Sequence, residues 1–357
     1  MKLFPLLLGV IPLIALGIAL RPPIASAPHV ARDDSGLSSV TAPHRIVSYA
    51  SVLEALATID ESAGRVIAAP DYLRLGVRES LISKVFPALS SISAAGNSTI
   101  PDPEGIMALN ADTVIAWRGI LGNLRQIGFP NILQVRQPGA EVGAALNETW
   151  QLLGEVLRKQ ARSDFLIDSY HSRMKAIATE HAATRPLRVI VVIPIRGHWR
   201  VGGRRFYLNR LLKLVGAVNV AASPADGPAD AEQIFNYDPD VVLLLNTPGG
   251  ASPEEFYDNR IWSALRAVRQ RRVYTMPTRS TYNAPVDEPL LAQWLIDVFR
   301  SEGSEEHTRE SYTTTYANVY DYDLSDTDLA WALREEENKT SAGYARFLGA
   351  GQSRLGN

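Results

Sequence analysis

Glutamate and aspartate recur at one fixed spacing in two distant parts of the chain. The stretch "PDPEGIMALNADTVIAW" places Glu104 eight residues before Asp112, and "DAEQIFNYDPDVVLLL" places Glu232 eight residues before Asp240. Each glutamate falls at the second position of a short predicted helix, and each aspartate precedes an apolar run typical of a buried strand. An acid in a first helical turn gains about 0.3–1 kcal/mol from the helix dipole. A repeated, exposed acid could also contact a cationic partner surface, so the pattern predicts two related units with one such acid each.

Aromatic and arginine side chains are concentrated after the predicted strands. Aromatic rings offer flat apolar contact, and arginine pairs with anionic oxygens. Because ligands of α/β folds bind outside the carboxyl ends of the strands, these side chains are predicted to line one cleft between two lobes. Taken singly, each has an ordinary structural interpretation, whereas the set favours ligand contact. The candidates are Tyr49, Tyr72, Trp117 and Arg118 in the first half, and Trp199, Arg204, Arg205, Arg279 and Tyr282 in the second.

Other site chemistries find little support in the sequence. The six histidines are scattered, so converging ligands for a bare zinc or manganese ion are not predicted. His198, in a predicted cleft loop, is the one histidine placed to meet a haem iron or a corrinoid cobalt. There is no nucleophile elbow, Walker loop, dinucleotide fingerprint or zinc-protease motif. We therefore predict no catalytic residue, no metal site and no resident cofactor, and we do not expect an enzyme.

Composition narrows the class of protein further. The 357 residues are enough for two domains, and a net charge of −2 gives no basic excess for nucleic acid. The sequence contains no cysteine, which excludes disulfides, iron–sulfur clusters, thiolate zinc sites and a lipidated cysteine.

The N-terminal segment predicts export. Lys2 precedes an apolar run over 3–20, and Ala25-Ser26-Ala27 ends the segment, as in a secretory signal covering 1–27. Pro28 is unfavourable after a cleavage site, and the run is nearly long enough to span a bilayer, so an uncleaved membrane anchor is the alternative. The expectation is a periplasmic protein with a flexible N-terminus over 28–43.

The elements that must position these residues form two similar halves. Short apolar strands alternate with helices over 44–143 and again over 183–300, which indicates parallel sheets covered on both faces. Residues 144–182 show helical spacing throughout, enough for one helix on the order of 50 Å long. The predicted fold is α/β, with two Rossmann-like lobes joined by a single long rigid α-helix. A C-terminal tail over 301–357 is expected to pack on the lobes.

Five blocks, in order over residues 44–300, resemble class III periplasmic substrate-binding proteins of ABC importers for ferric siderophores, haem and cobalamin. The chain departs from the family pattern at Ala111, where proline is usual, in its long tail, and in lacking a lipid-attachment cysteine. The blocks are "HRIVSYASVLEAL", "PEGIMALNADTVIAW", "LLKLVGAVNVA", "EQIFNYDPDVVLL" and "IWSALRAVRQRRVYTMP".

The resemblance implies a role for the repeated acids and a class of ligand. Family members dock on arginines of the membrane permease through one glutamate per lobe, which implies docking by Glu104 and Glu232. The implied function is capture of a metal chelate by a monomer with little hinge closure. A ferric siderophore is favoured because Arg118, Arg204, Arg205 and Arg279 suit an anionic chelate. Cobalamin and haem are alternatives by the same mechanism. Outside transport, a periplasmic sensor or interaction module on the same fold stays open, as does an enzyme acting on the chelate.

Overall fold

The computed structural model describes most of the chain from residue 42 onwards. The predicted signal sequence and nearly all of the predicted flexible N-terminus lie outside the described residues, as do Arg205, Arg279 and Tyr282. Within the described part, no helix combines the length and the hydropathy needed to cross a membrane. The described residues are 42–96, 101–126, 129, 131–136, 142–180, 186–195, 198–204, 206–221, 227–228, 231–247, 250–277, 286–300 and 306–348.

The first lobe is built on a parallel five-stranded sheet of order β3-β2-β1-β4-β5. Its strands are β1 (Ile46–Ser48), β2 (Val66–Ala69), β3 (Ser93–Ala94), β4 (Thr113–Trp117) and β5 (Ile132–Val135). Its helices are α1 (Leu53–Asp60), α2 (Asp71–Arg78), α3 (Ile82–Val85), α4 (Pro103–Ala108) and α5 (Arg118–Gln126), with a 3-10 turn at Pro87–Ser91.

Side-chain alternation along β1 explains why both faces of this sheet are covered. Ile46 joins an apolar cluster that contains α1, while Val47 joins a second cluster that contains Ile106 of α4 and Leu124 of α5. Successive strand residues point to opposite faces, so a strand that is apolar at every position needs helices on both sides.

Two helices, α6 (Val142–Leu157) and α7 (Gln160–Glu180), link the lobes. The sequence predicts one uninterrupted helix here, and the structure differs because Arg158 adopts a left-handed conformation with φ of 57°. A Cβ on Gly154 would lie 2.3 Å from Ser163 Oγ, so glycine is what allows the start of α7 to approach α6. The 21 residues of α7 extend about 30 Å.

The second lobe has a mixed sheet, of order β11-β10-β6-β7-β9, with β8 beside β6. Strands β6, β8, β10 and β11 are parallel to one another, but β7 runs antiparallel to β6 and β9 antiparallel to β7. Its strands are β6 (Leu187–Ile195), β7 (His198–Val201), β8 (Ala217–Asn219), β9 (Gly227–Pro228), β10 (Val241–Leu244) and β11 (Val273–Thr275). Its helices are α8 (Asn209–Leu214), α9 (Ala231–Tyr237), α10 (Pro253–Tyr257) and α11 (Arg266–Arg269), with a 3-10 turn at Trp262–Ala264.

The antiparallel strand corrects the expectation of a cleft loop over 196–205. Trp199 pairs with Pro194 of β6, and Val201 pairs with Val192. Both Trp199 and Val201 pack into the apolar cluster on the outer face of this sheet. The described part of the segment therefore forms a strand of the sheet, not a loop.

The C-terminal segment is helical and firmly attached to the second lobe. It comprises α12 (Asp287–Phe299), α13 (Thr308–Tyr320), α14 (Asp326–Ala332), α15 (Glu335–Asn338) and a 3-10 turn at Tyr344–Phe347. The Asn338 side chain accepts from Thr275 N at 2.7 Å and donates to Thr275 O at 2.8 Å, so it pairs with the edge strand β11 as another strand would. Covering an edge in this way protects it from pairing with other chains. Tyr344 and Phe347 are fully buried beside it.

One apolar cluster, here called the central core, runs through both lobes and the C-terminal segment. It includes side chains of α1, α6, α7, α12 and α13 and the inner face of the second sheet. Movement of one lobe against the other would expose this close-packed surface. Large members of the central core are Leu53, Trp150, Tyr170, Trp294 and Tyr316, all buried.

The repeated glutamate–aspartate spacing has a structural basis, which we call the strand–helix bracket. In the first lobe, Arg45 at the start of β1 donates from Nη2 to Leu109 O at 2.7 Å, at the end of α4. Asp112 Oδ2 accepts from the backbone N of His44 at 2.7 Å and of Arg45 at 3.0 Å. The connecting Asn110 has a positive φ of 48°, which turns the chain from α4 towards β4.

The second lobe repeats the strand–helix bracket with Arg188 and Asp240. Arg188 Nη2 donates to Tyr237 O at 2.6 Å, at the end of α9, and Asp240 Oδ2 accepts from Arg188 N at 2.9 Å. Asp238 has a positive φ of 37°. In each lobe, the bracket fixes a glutamate-bearing helix to the first strand of the sheet.

Removing the bracket carboxylate should destabilise the protein. Asp112→Ala leaves two backbone N–H groups without their acceptor, and we expect it to lower the free energy of unfolding by about 1–2 kcal/mol. Denaturant unfolding followed by tryptophan fluorescence measures the change. Asp71→Ala is the matched control, since it removes the ion pair of a largely exposed carboxylate with Arg74 and should cost less than about 0.5 kcal/mol. Equal losses in the two variants would contradict a structural role for the bracket.

Candidate functional site

A cavity lies between the two lobes and is closed on one side by the C-terminal helices. The space inside it that the centre of a water-sized molecule can reach is about 60 Å³. The first lobe contributes Glu54, Ser80, Leu81 and Ile82, and the second lobe contributes Tyr207, Leu245, Asn246, Met276 and Pro277. Asp287 and Leu291 come from α12, and Tyr312, Tyr316 and Tyr320 come from α13.

The topology of the two sheets accounts for this position. Leu245 and Asn246 directly follow β10, while Met276 and Pro277 directly follow β11. On the opposite side, α1 begins a few residues after β1 ends. The carboxyl ends of the strands therefore face the cavity from both lobes, which is the usual ligand position of α/β sheets.

Two carboxyl groups meet in the cavity wall. Glu54 is in the first turn of α1, Asp287 opens α12, and their side chains are hydrogen-bonded to each other. Glu54 is buried, at 2% exposure. Burial and the neighbouring Glu54 carboxyl raise the pKa of Asp287 well above its ordinary value. The two groups are here called the acid pair.

Three tyrosines of α13 face the acid pair at a spacing of four residues. The rings of Tyr312 and Tyr316 are almost parallel with centroids 6.4 Å apart, and the Tyr316 and Tyr320 centroids are 5.1 Å apart. Tyr320 Oη lies 3.2 Å from Thr58 Oγ1 of α1. Burial, with a further contribution from Asp287, raises the pKa of Tyr312 and Tyr316, and burial also raises the pKa of Tyr320. All three phenols stay protonated at neutral pH, and we call them the tyrosine wall.

Basic side chains are absent from the described lining of the cavity. Arg210 of α8 pairs with Glu288 and donates to Tyr170 Oη at 2.7 Å. Arg162 of α7 lies 3.7 Å from a Glu61 oxygen and donates to Val319 O. Within the described ranges, no group of three or more histidine, cysteine, aspartate or glutamate residues is arranged to hold a metal ion. The cavity is thus acidic, phenolic and apolar.

Comparison with known proteins identifies the family. The family described as "Periplasmic binding protein" matches residues 83–280, which is more than half of the chain. This protein belongs to that family. Periplasmic binding proteins of this kind work outside the cytoplasm and deliver a ligand to an ABC permease. A sequence search of curated proteins finds no match.

Solved structures show the same two-lobe fold. A periplasmic solute binding protein of Veillonella parvula is 20% identical, covers 84% of this chain and 94% of its own, and has a TM-score of 0.69. The molybdate-bound periplasmic binding protein MolA of Haemophilus influenzae is 16% identical, with 80% and 96% coverage and a TM-score of 0.66. The periplasmic heme-binding protein RhuT of Roseiflexus sp. RS-1, in its apo form, is 18% identical, with 72% and 98% coverage and a TM-score of 0.58. The predicted fold is confirmed, and at these identities the likeness concerns the fold alone.

The binding protein buries Tyr49, which the sequence suggests as a ligand contact. Tyr49 is fully buried and its hydroxyl donates to Ala95 O at 2.5 Å. Burial raises the pKa of Tyr49 to about 12. Its ring belongs to the outer apolar cluster of the first lobe, so it presents no surface to a ligand.

Trp199, the second aromatic candidate, packs against other aromatic rings of the second lobe. Its ring packs edge to face against Phe256 at 5.1 Å and Trp262 at 5.8 Å between centroids. These rings lie on the outer face of the second sheet. His198, the other cleft-loop candidate, is exposed at the start of β7.

The remaining predicted contacts that the structure describes also lie outside the cavity lining. Tyr72 and Trp117 are half-buried and pack against the central core. Arg118 begins α5 and Arg204 follows β7, and both are exposed. The structure therefore does not bring together the described members of the predicted tyrosine, tryptophan and arginine set, while Arg205, Arg279 and Tyr282 lie outside the described residues.

The residues that line the cavity are not among the ligand contacts predicted from the sequence. The tyrosine wall had a visible signal in "SYTTTYANVY", where tyrosines recur every four residues and so share one helix face. The sequence signal for Glu54 is weaker: it is a single acid inside the apolar helix "LEALATI".

Glu104 and Glu232 are exposed in the first turns of α4 and α9. Asp102 caps α4 by accepting from Gly105 N at 3.0 Å, and both helices are held by the strand–helix brackets. Met107, 64% exposed, lies on α4 beside Glu104.

The acid pair predicts how stability depends on pH. The pKa of Asp287 is raised in the folded protein, so folding retains a proton that the unfolded chain releases. Stability should therefore fall as pH rises from about 4, the unfolded pKa, through the raised folded pKa. Asp287→Asn removes this loss, so its melting temperature should decline less than that of the wild type over this window.

Thermal unfolding in buffers from acidic to neutral pH measures this difference. Asp168→Asn, at an exposed acid of α7, is the control and should follow the wild type. Parallel profiles for the wild type and Asp287→Asn would contradict a protonated acid pair.

Proposed function

We propose that this protein captures a metal chelate, foremost a ferric siderophore, in the interlobe cavity and presents it to the permease of an ABC importer. The observation that carries the proposal is a cavity at the strand ends of both lobes in a periplasmic binding protein.

The lining suits a cargo with a broad apolar body and a few polar groups. Leu81, Leu245 and Leu291 supply apolar contact, and the tyrosine wall supplies flat rings with hydroxyl donors. Cobalamin and haem, bound by the same mechanism, are the alternative cargoes. Of the four arginines that favoured an anionic chelate, Arg118 and Arg204 are exposed outside the cavity lining, and Arg205 and Arg279 lie outside the described residues.

The central core also bears on how the protein delivers its cargo to the permease. Because the central core joins both lobes, the protein presents its cargo with little change of shape. Recognition by the permease then depends on surface groups that are fixed in place. Glu104 and Glu232, one per lobe and each on a bracketed helix, are the proposed contacts with permease arginines.

The proposed function also requires that the protein be exported to the periplasm. The predicted signal over 1–27 directs a monomer to the periplasm, with an uncleaved membrane anchor as the alternative. The protein binds and releases its cargo, and no catalytic step is proposed for it.

Ligand titration tests the binding function. We expect one class among ferric hydroxamates, ferric catecholates, haem and cobalamin to quench tryptophan fluorescence saturably at submicromolar concentration, because these coloured ligands accept excitation energy. Asn246→Arg should abolish the quenching by filling the cavity. Asn236→Arg, at an exposed position of α9, is the matched control. Failure of every ligand to saturate would contradict the proposal.

Charge reversal tests the docking surface. Glu104→Lys and Glu232→Lys should each reduce uptake of the labelled cargo by about tenfold or more, since a like charge facing a permease arginine costs at least about 1.4 kcal/mol. Ligand affinity measured on the purified variants should stay within about twofold of the wild type, because neither residue lines the cavity.

The uptake assay uses cells in which the variant is the sole copy of the protein. Asp168→Lys, a reversal at an exposed acid of α7, controls for general charge effects. Full uptake by both glutamate variants would refute docking through these helices.

A further inference from the structure

The acid pair and the tyrosine wall line the same cavity, and together they indicate the charge of the ligand that the cavity binds. Two carboxyl groups in contact inside a core are unfavourable, since burial penalises their charge and each raises the pKa of the other. An apolar or amide pair would fill the same space without that cost. Each acid stands in a first helical turn, where the helix dipole favours a negative charge, but this does not account for the placement of the two carboxyl groups against each other.

The described residues of the surrounding elements supply no basic side chain to the cavity wall. Arg162 of α7 is directed to Glu61 and to the carbonyl of Val319. Arg173 of α7 donates to the Thr315 hydroxyl. These arginines hold α13 against α7 and do not line the cavity in the described part of the chain.

Arg210 of α8 approaches from the second lobe. It pairs with Glu288, which follows Asp287 in α12, so its charge is already neutralised by the neighbouring carboxylate. Among the described residues, none brings an unpaired positive charge to the acid pair, so a cationic ligand would meet an uncompensated acidic site.

The tyrosine wall fits the same ligand. The faces of tyrosine rings attract cations, and the attraction is stronger where the contact is shielded from water. Tyr312 and Tyr316 are buried, and their rings line the cavity together with that of Tyr320. Carboxylates combined with aromatic faces form a site suited to an ammonium group on an otherwise apolar molecule.

A further group in the wall points to a polar ligand. Asn246, after β10, lines the cavity, and its buried amide nitrogen donates to no described residue. A buried donor without an acceptor is unfavourable. A chelate that brings a carbonyl or hydroxamate oxygen to this point would satisfy it.

We infer that the cargo carries a positively charged ammonium group, which enters the cavity between Glu54 and Asp287 and lies against the tyrosine wall. This inference rests on the proposed function and specifies its substrate class as a chelate with a cationic side arm. Anionic chelates meet like charge at the acid pair and are selected against.

The test compares two chelates that differ only in this charge. Ferrioxamine B carries a free ammonium at the end of its chain, and its N-acetyl derivative has the same ferric hydroxamate centre without the charge. Neutral ferrichrome, an anionic ferric catecholate, haem and cobalamin complete the panel. We expect the purified protein to bind ferrioxamine B at least about tenfold more tightly than the acetylated form.

Variants of the acid pair locate the preference. Glu54→Gln and Asp287→Asn should each bring the two ferrioxamines to nearly equal affinity, while Asp168→Asn, at an exposed acid of α7, should leave the preference intact. Thermal unfolding checks that each variant is folded. The comparison of the two ligands on the wild-type protein stands even if a variant fails to fold.

The outcomes separate this inference from the proposed function. Equal or tighter binding of the acetylated, neutral or anionic chelates would overturn the inference and leave chelate capture standing. A preference for the ammonium form that persists in both acid-pair variants would also overturn it. Binding of no member of the panel would overturn the proposed function as stated, and the inference with it.

Discussion

The central core that α1, α7, α12 and α13 share holds the two lobes in one arrangement. The cavity therefore exists before any ligand arrives, so little of the binding energy is needed to order its walls. The same constraint lets surface groups on each lobe keep a constant separation, as recognition by a permease requires. The C-terminal segment is part of this constraint, because Asn338 pairs with β11 and Tyr344 is buried beside Trp294, whose Nε1 donates to the Tyr344 hydroxyl at 3.0 Å.

At the acid pair, the central core contains two carboxyl groups in place of apolar side chains. Glu54 and Asp287 put titratable oxygens where apolar groups would be more stable. Such local conflicts with stability are expected at functional sites, which natural proteins tolerate when the rest of the fold compensates. Here the compensation comes from the apolar surface around the pair. The cavity thus combines a preformed shape with a wall that carries two carboxyl groups.

Much of the architecture could be predicted from the sequence. Alternating apolar strands and helices indicated two α/β lobes, and the repeated glutamate–aspartate spacing indicated their relationship. That spacing reflects the bracket aspartates, which accept backbone N–H groups at the start of each lobe's first strand. The break at Arg158 was not predictable, because it depends on the close approach of Gly154 and Ser163. The cavity lining was missed for the same kind of reason, since Glu54 and Asp287 are brought together only by tertiary packing.

The most direct test of the account is a crystal structure of the protein with the chelate that it binds most tightly. The account predicts a ligand between the lobes, in contact with α1, with the segments after β10 and β11, and with the α13 tyrosines, in lobes arranged as they are here. A ligand bound to one lobe only, or seated on the exposed loops that carry Arg118 and Arg204, would contradict it.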